Sequence, residues 1–458
     1  MITTRGLQVD IREDLKTQLT VKPEINKDYN FGEDVSYKVY NISSTKMYVP
    51  RNYPLEYDGE IVNTIPDGIV CNHMKFEGVL KTSTNQIEAS DTVYYGLINK
   101  TVNKTKTQDK GNSLNCGILS LPTGYGKTTV ALHIMCRLKQ KTLVIVHKEF
   151  LMNQWTERIK QFVPNARIGY IQGSKIDVEH KDVVIGMLQS LSMKEYDRSI
   201  FKDFGFTIID ETHHICTKTF SKSLLKHNTK YVLGLSATIE RKDGLTKVLH
   251  WFLGPILYQV HRENKRDVVV CRNVYTFDEY KEDFPLNKAR KANMPYAINK
   301  LTESCNRNIY IDSIIKRCVL EEGRKVLVLS DRRQHCIDLL ETCEYTKGGL
   351  YIGGMKQHEL NESEKCDVIY GTFTLAHEGL DIPDLDTLVL ATPKSDIVQS
   401  VGRILRETPG KKNHPLVVDI IDEWGPFRVQ YYKRCKYYKA TGFTIVNEKE
   451  ASVKVENT

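Results

Sequence analysis

Two short segments of the sequence carry residues whose types and spacing suit phosphate chemistry. Residues 120–128 read Ser-Leu-Pro-Thr-Gly-Tyr-Gly-Lys-Thr, and residues 207–214 read Thr-Ile-Ile-Asp-Glu-Thr-His-His. In the first, glycines let the backbone close around phosphate oxygens, the lysine neutralises them, and the last threonine supplies a hydroxyl for magnesium. A glycine-rich turn is the alternative, since Leu121 stands where this pattern usually has glycine. The strand-like run before the segment and the helical pattern after it favour a phosphate loop for ATP, formed by Pro122, Thr123, Gly124, Tyr125, Gly126, Lys127 and Thr128.

The second segment ends an apolar run with two adjacent carboxylates, Asp210 and Glu211. Ligands of an open α/β sheet bind beyond the carboxyl ends of its strands, which is where these side chains would lie. We expect Asp210 and Thr128 to hold Mg²⁺, and Glu211 to orient and deprotonate the water that attacks ATP. The alternative is an acidic turn between a strand and a helix. The residues that we expect to connect this site to the rest of the protein are His213, Ser236 and Thr238.

A third segment, at 399–406, reads Gln-Ser-Val-Gly-Arg-Ile-Leu-Arg. Helical spacing places Gln399, Arg403 and Arg406 on one face. Two arginines on one face can reach a γ-phosphate as arginine fingers. A solvated basic helix face is the alternative. With Lys127 and Glu211, we predict these three residues to be catalytic.

Residues 431–439, Tyr-Tyr-Lys-Arg-Cys-Lys-Tyr-Tyr-Lys, interleave aromatic and basic side chains. Such a segment can grip phosphates and stack on bases. It can also be an amphipathic helix whose tyrosines pack on a domain and whose lysines are solvated. The second interpretation is favoured.

The bulk composition is that of a globular protein with a modest basic bias. The chain has 458 residues, 27% of them charged, and a net charge of +8. This length predicts two or three domains, and the charge is compatible with a polyanionic partner. The 11 cysteines contain no Cys-x-x-Cys pair, which favours free thiols in a reducing compartment. With neither a signal-like apolar core nor a run of about 18 apolar residues, we expect an intracellular protein.

Apolar runs alternate with amphipathic segments from residue 116 onward, which predicts a doubly wound α/β fold. The predicted strands are 116–121, 142–146, 182–185, 206–209 and 231–235, and, after a polar stretch, 325–330, 367–370, 387–391 and 416–421. We therefore predict four parts: a strand-rich accessory domain at 1–74, an ATP-binding α/β domain at 75–260, a linker at 261–305 and a second α/β domain at 306–458.

The combined motifs resemble superfamily 2 helicases of the DExH type, over residues 75 to 440. The resemblance rests on 122–128, Asp210-Glu-Thr-His213, Ser236–Thr238, 371–381 and 399–406, with 144–155 and 326–331 as further matches. The segments 234–247 and 251–255 resemble the XPB/UvsW-type DNA helicases, and most closely the relatives of the poxvirus transcript-release helicase in large cytoplasmic DNA viruses. Two departures are Ile239, where proline is usual, and the lack of an aromatic residue at 80–85, before Gln86.

The resemblance implies two RecA-like domains with ATP between them and the arginines closing from the second. It also implies that Gln86, Gly379 and Asp381 belong to the nucleotide site, with Asp381 coupling it to the nucleic-acid surface. The expected partner is single- or double-stranded DNA, with RNA as the alternative. The transcription or replication machinery is a further expected partner. The implied nucleic-acid contacts are His147, Lys148, Gln189, Ser190, Ser330 and Thr372.

Three functions remain open from the sequence. The first is an ATP-driven DNA helicase or double-strand translocase, acting in viral transcription or recombination. The second is a motor subunit of the type III restriction kind, which would be supported by a Pro-Asp…Asp/Glu-x-Lys nuclease cluster; none follows residue 406. The third is a nucleic-acid-dependent ATPase that remodels RNA or RNA–protein complexes.

Overall fold

A computed structural model describes most of the chain in two units. The described residues are 1–24, 36–55, 62–98, 115–122, 124–212, 217, 219, 221–239, 241, 243–260, 268–276, 283–287, 290, 292–380, 382–405, 411 and 413–447, except for the side chains of 377–379. The chain divides into a first unit, Met1–His261, and a second unit, Arg262–Thr458.

The first unit opens with a small antiparallel module. Its elements are β1 (Ile2–Thr3), β2 (Gly6–Asp10), α1 (Glu13–Gln18), β3 (Thr20–Val21), β4 (Tyr37–Lys38), β5 (Asn41–Ile42) and β6 (Lys46–Val49). The strand order is β1-β2-β6-β5, with β3 and β4 as a separate pair. Alternating residues such as Leu7, Met47 and Val49 bury one face of the sheet. The module lies within the segment 1–74, for which the sequence predicts a strand-rich accessory domain.

Buried polar side chains hold the module against the rest of the first unit. Arg51 is 2% exposed and donates from Nη1 to the carbonyl of Thr229 at 2.7 Å and from Nη2 to that of Lys230 at 3.2 Å. Asn52 Nδ2 donates to the carbonyl of Phe252 at 3.0 Å. Because these carbonyls belong to the large domain, the module shares its packing.

An eight-stranded sheet forms the body of the first unit. Its elements are α2 (Gln86–Ile98), β7 (Cys116–Ser120), α3 (Lys127–Leu138), β8 (Thr142–Val146), α4 (Glu149–Phe162), β9 (Ile168–Gln172), β10 (Lys175–Ile176), β11 (Val183–Met187), α5 (Leu188–Met193), β12 (Phe206–Ile209), α6 (Ser221–Leu224), β13 (Tyr231–Ser236), α7 (Thr246–Leu253) and β14 (Ile256–Gln259). The order is β10-β9-β11-β8-β12-β13-β7-β14, and only β10 pairs antiparallel. The central strands β7, β8 and β12 are buried at every residue, as expected for a sheet covered on both faces.

The second unit contains a seven-stranded, wholly parallel sheet. Its elements are β15 (Val269–Tyr275), α8 (Met294–Glu303), α9 (Cys305–Leu320), β16 (Val326–Ser330), α10 (Arg333–Glu341), β17 (Gly348–Tyr351), α11 (Gln357–Ser363), β18 (Val368–Thr372), α12 (Phe373–Gly379), β19 (Thr387–Leu390), α13 (Val398–Ile404), β20 (Leu416–Asp422), α14 (Pro426–Ala440) and β21 (Thr444–Asn447). The order is β17-β18-β16-β19-β20-β15-β21. The two sheets give the predicted α/β class with two tandem domains.

Within the segment 261–305, predicted as a linker, the described residues include a strand and a helix of the second unit. Strand β15 pairs with β20 on one side and β21 on the other, and α8 follows it. The strand was not predicted because its apolar run is short, contains Arg272 and Asn273, and has polar residues on both sides.

Two buried arginine–aspartate pairs brace the second unit. Arg307 binds both carboxylate oxygens of Asp422 at 2.8 Å, and both side chains are fully buried. Arg434 binds both oxygens of Asp419 at 2.7 and 2.9 Å, and Tyr438 donates to the same carboxylate at 2.9 Å. Each buried charge is thereby neutralised and hydrogen-bonded.

None of the helices in the described ranges combines the length and the apolar character needed to cross a membrane.

Candidate active site

The loop between β7 and α3 is shaped by two glycines in left-handed conformations. Gly124 has φ 87° and Gly126 has φ 79°, values that side chains rarely allow. A Cβ on Gly126 would also lie 2.5 Å from Gln86 Nε2. The loop leads into the 12-residue helix α3, which begins at Lys127. The amides of its first turn have no partner within the helix and favour an anion. Thr123 lies outside the described residues.

The side chain of Gln86 is hydrogen-bonded to this loop. The side chain is 4% exposed. Its Oε1 accepts from the backbone N–H of Lys81 at 2.9 Å, and its Nε2 donates to the carbonyl of Tyr125 at 3.0 Å. The structure therefore places this predicted nucleotide residue against the phosphate loop.

Lys127 and Asp210 approach each other at the carboxyl edge of the sheet. Lys127 Nζ donates to the carbonyl of Leu121 at 3.1 Å, so its ammonium stays beside the loop. Asp210 follows β12; its Oδ2 accepts from Trp155 Nε1 at 2.8 Å and its Oδ1 from the backbone N–H of Glu211 at 3.0 Å. Burial and then the Glu211 carboxylate raise the pKa of Asp210, while the Trp155 hydrogen bond and the Lys127 ammonium act against them. Two carboxylates this close favour the arrival of a cation.

Glu211 itself has a strained backbone. Its φ is 47°, in the left-handed region that bulky residues avoid. Such strain persists only where the surroundings enforce it, and it is concentrated at functional sites. The conformation lets the chain turn sharply straight after Asp210, so that both carboxylates stay at the end of β12.

The residues present suit a magnesium ion bound together with phosphates. Among the described side chains, no group of three or more His, Cys, Asp or Glu is arranged to hold a metal ion alone. Magnesium is commonly bound through one or two protein oxygens, with substrate phosphates and water completing the octahedron. Asp210 supplies a carboxylate and Thr128, in the first turn of α3, supplies a hydroxyl.

The loop after β13 is joined to the phosphate loop. The backbone N–H of Leu121 donates to the carbonyl of Ser236 at 3.2 Å. Ser236 Oγ donates to the carbonyl of Thr238 at 2.5 Å and accepts from its N–H at 3.2 Å. Two of the three predicted coupling residues thus lie together beside the site, and His213 is outside the described residues.

Sequence reasoning did not assign a role to Trp155. It lies on α4 and is 1% exposed, on the same face as Leu151, Met152 and Ile159. That spacing indicates only a buried helix face. A buried tryptophan N–H usually requires an acceptor, and this requirement was the available signal that Trp155 meets a polar group.

Four predicted nucleic-acid residues gather at one edge of the first unit. His147 and Lys148 follow β8, and Gln189 and Ser190 begin α5 after β11. Strands β8 and β11 are neighbours, and their last residues, Val146 and Met187, are register partners. Gln189 is exposed, and Ser190 Oγ accepts from the N–H of Gly173 at 2.9 Å.

The equivalent edge of the second unit brings Ser330 and Thr372 together, but in different environments. They end the neighbouring strands β16 and β18 and are register partners. Thr372 is partly exposed, whereas Ser330 is 1% exposed. Ser330 Oγ accepts from the N–H of Arg332 at 3.0 Å and lies 3.0 Å from His335 Nδ1. In this structure the Ser330 hydroxyl closes the turn after a fully buried strand, and its expected contact with nucleic acid stays a prediction.

Gln399 and Arg403 both lie on α13, as their spacing predicts. Gln399 is partly exposed. Arg403 is 7% exposed and donates from Nη1 to the carbonyl of Leu380 at 2.7 Å. Arg403 therefore joins α13 to the end of α12, where Gly379 is the last residue. Arg406 and Asp381 lie outside the described residues.

The chain is similar to known proteins in sequence and in fold. The family model described as "Type III restriction enzyme, res subunit" matches residues 80–241. The chain is 33% identical over 452 residues to "Putative ATP-dependent RNA helicase L396" of Acanthamoeba polyphaga mimivirus, covering 94% of this chain and 82% of the relative. It is 27% identical over 355 residues to "Putative helicase 161L" of Invertebrate iridescent virus 6, covering 72% and 78%. A structure of S. cerevisiae Dbp5 bound to RNA and ADP BeF3 has a TM-score of 0.51 and 11% identity, covering 74% of this chain and 88% of that one.

These matches show that the chain is an ATP-dependent helicase. Within that class, the chain belongs to the superfamily 2 helicases, in a group from viruses that includes the mimivirus and iridescent virus relatives. The resemblance drawn from the motifs is confirmed at this level.

Proposed function

We propose that this helicase uses Mg²⁺-ATP to move along DNA, with the strand-end residues of both units holding the sugar–phosphate backbone. The observation that carries the proposal is the repeated placement of polar residues beyond the carboxyl ends of adjacent strands, β8 with β11 and β16 with β18. Contacts of this kind fix position on a strand without reading its sequence. Successive grips by two units can therefore advance along any sequence.

In the proposed hydrolysis, Lys127 and the amides at the start of α3 bind the phosphates. Mg²⁺, held by Asp210 and Thr128, would neutralise charge on the β- and γ-phosphates. Glu211 accepts the proton of the attacking water. Trp155 keeps Asp210 oriented through its hydrogen bond.

The second unit contributes Gln399, Arg403 and Arg406 to hydrolysis in this proposal. Arginines stabilise the charge that develops on a transferring phosphoryl group. Because Arg403 also donates to the Leu380 carbonyl, we assign it a positioning role for the segment that contains Asp381. Arg406 is then the candidate for direct contact with phosphate.

Nucleic-acid contact is proposed for the exposed or partly exposed residues of the two edges. These are His147, Lys148, Gln189, Ser190 and Thr372. Ser330 acts indirectly in this proposal, by holding the turn that carries Arg332.

The proposal is tested by measuring ATP hydrolysis with single-stranded DNA, duplex DNA and RNA of matched length. We expect both forms of DNA to raise the rate above the basal rate, and DNA affinity to fall by about 0.7 to 0.9 log units per log unit of salt for each phosphate contacted. Triplex displacement on duplex DNA measures movement directly. Stimulation by no nucleic acid would contradict a motor function.

RNA is the second candidate substrate, and a specific observation favours it. The mimivirus relative is named as an RNA helicase, and the Dbp5 structure contains RNA. If RNA alone stimulates hydrolysis in the same assay, the protein is an RNA-dependent ATPase, and the assignment to DNA is wrong.

A further inference from the structure

We infer that the outer face of α14 is an additional binding surface for single-stranded nucleic acid, beyond the strand-end residues. The helix spans Pro426–Ala440 and contains five basic residues and no acidic residue. The exposed members of this surface, called here the α14 stripe, are Arg428, Tyr432, Lys433, Lys436 and Lys439. The inference rests on the proposed function, since it assumes that the protein binds nucleic acid.

The inner face of α14 fixes which residues point outward. Phe427, Tyr431 and Tyr438 are buried, and Arg434 is neutralised by Asp419. The interpretation of this segment as a packed helix is therefore correct for its inner tyrosines. At 100° per residue, the α14 stripe falls within an arc of about 140° on the opposite side. The orientation of the stripe is thus set by the core.

Among the described residues, the basic side chains of the α14 stripe are not held in salt bridges by neighbouring carboxylates. In the part of the chain that the structure describes, Arg428, Lys433, Lys436 and Lys439 form no salt bridge with a carboxylate. Lys433, Lys436 and Lys439 are spaced three residues apart, so like charges face each other along the helix. Glu423, which precedes the helix, is the acidic side chain that acts on Arg428. A helix that retains this repulsion suits an anionic partner.

The helix dipole explains only part of the pattern. Cations near the carboxyl end of a helix are stabilised by the dipole, which accounts for Lys436 and Lys439. Arg428 lies in the first turn, where the dipole disfavours a cation. The helix dipole therefore does not account for the position of Arg428.

Tyr432 gives the stripe an exposed aromatic ring beside a cation. The residue is 55% exposed, and Arg428 Nε donates to its hydroxyl at 3.2 Å. A half-exposed ring can stack on an unpaired base, and the arginine beside it can bind the adjoining phosphate. Stacking requires a base that is not paired, so the surface fits a single strand.

The place of α14 in the fold continues the proposed nucleic-acid edge. The helix starts four residues after β20 ends, at the same sheet edge as Thr372. Three strand spacings separate β18 from β20, which is about 14 Å across the sheet. A strand held at Thr372 can therefore extend along the outer face of α14.

The test is fluorescence anisotropy with labelled oligo-dT and oligo-U of about 20 nucleotides, between about 50 and 300 mM KCl. The main variant is Arg428→Gln/Lys433→Gln/Lys436→Gln. The matched control, Lys316→Gln/Lys347→Gln/Lys365→Gln, removes the same charge from exposed residues of the second unit outside α14. Melting temperature and basal ATP hydrolysis report the folding of each variant.

We expect the main variant to reduce the salt slope by about 2 and the affinity at 0.1 M salt by about 100-fold, since each lost phosphate contact contributes about 0.7 to the slope. Tyr432→Ala should weaken binding by about five- to a hundred-fold without changing the slope. The control variant should bind as the wild type does.

Two results overturn the inference while leaving the proposed function intact. One is that the wild-type protein binds the oligonucleotides and the main variant binds them with the same affinity and the same salt slope. The other is an equal loss in the control variant, which would indicate a general effect of net charge. A wild-type protein that binds neither oligonucleotide removes both the inference and the proposed function.

Discussion

The two units place a carboxylate at the end of a parallel strand but give it opposite partners. In the first unit, Asp210 accepts from two neutral donors, the indole of Trp155 and the backbone of Glu211. In the second, Asp422 ends β20 and is bound at both oxygens by Arg307. Asp422 is fully buried and Asp210 is partly exposed, so the two carboxylates differ in exposure as well as in the charge of the partner.

The difference shows how a fold can use carboxylates in two ways. One carboxylate keeps its negative charge available to a cation, and the other is neutralised and holds two elements of the fold together. A neutral donor orients the oxygens and leaves their negative charge available to a cation. A bidentate arginine cancels that charge and uses the carboxylate to fix a helix against the sheet. The arrangement at Asp210 costs stability, because burial and the nearby Glu211 both raise its pKa.

The largest expected effect is on turnover. Glu211→Gln should reduce the rate of ATP hydrolysis by about 10²- to 10⁴-fold, because an amide cannot take the proton of water. Nucleotide binding, measured with a fluorescent ATP analogue, should persist. Lys127→Ala should instead lose binding. Glu149→Gln, on an exposed position of α4, is the control. Near-normal turnover in Glu211→Gln would show that another group is the base.

The next effect is on stability and separates the two carboxylates. Arg307→Met should lower the free energy of unfolding by about 3 to 5 kcal/mol, since Asp422 would be left buried and unpaired. Asp210→Asn should abolish hydrolysis without loss of stability, because it removes a charge that burial disfavours. Urea unfolding of the two variants provides the measurement. A stability loss in Asp210→Asn as large as that in Arg307→Met would erase the contrast.

A smaller effect is expected for the donor to Asp210. Trp155→Phe keeps most of the buried surface and removes the N–H. The magnesium concentration for half-maximal nucleotide binding should rise about tenfold or more, as when an outer hydrogen bond to a metal ligand is lost. Trp251→Phe, which makes the same change on helix α7 of the first unit, serves as control. Unchanged magnesium dependence would mean that the indole only packs.

The smallest effect compares a buried histidine in each unit. Burial lowers the pKa of His227 to about 3 and that of His335 to about 3. The unfolded chain takes up these protons near pH 6.5 and the folded chain does not, so stability is complete above pH 6.5 and falls progressively towards pH 3. Between pH 7 and pH 5.5, each histidine should lower the free energy of unfolding by about 1 kcal/mol. The His227 ring stacks on Phe201, so His227→Phe should keep the packing and remove the contribution of His227 to the pH dependence of stability. An unchanged pH dependence in this variant would contradict a buried, neutral His227.

The sequence predicted the parts of the site whose residue types are tied to one chemistry. Glycines, Lys127 and the Asp210-Glu211 pair could be placed because only strand ends and helix starts bring such groups to a phosphate. Trp155 could not be assigned, since its helical spacing is equally typical of a core residue. The burial of Ser330 could not be predicted, because a motif position says nothing about the direction of a hydroxyl. Strand β15 was overlooked because Arg272 and Asn273 interrupt its short apolar run and the residues around it are polar.

The contacts of Arg51 and Asn52 bear on how the protein can be produced for study. A shortened chain that begins at residue 75 would strip three carbonyls, those of Thr229, Lys230 and Phe252, of their donors. It would also uncover Trp251, whose ring packs edge-on against Tyr53 at 5.0 Å. Such a fragment should be poorly soluble even though it retains every residue that is predicted to bind ATP. Expression of the ATP-binding part should therefore start at Met1 and end near residue 260.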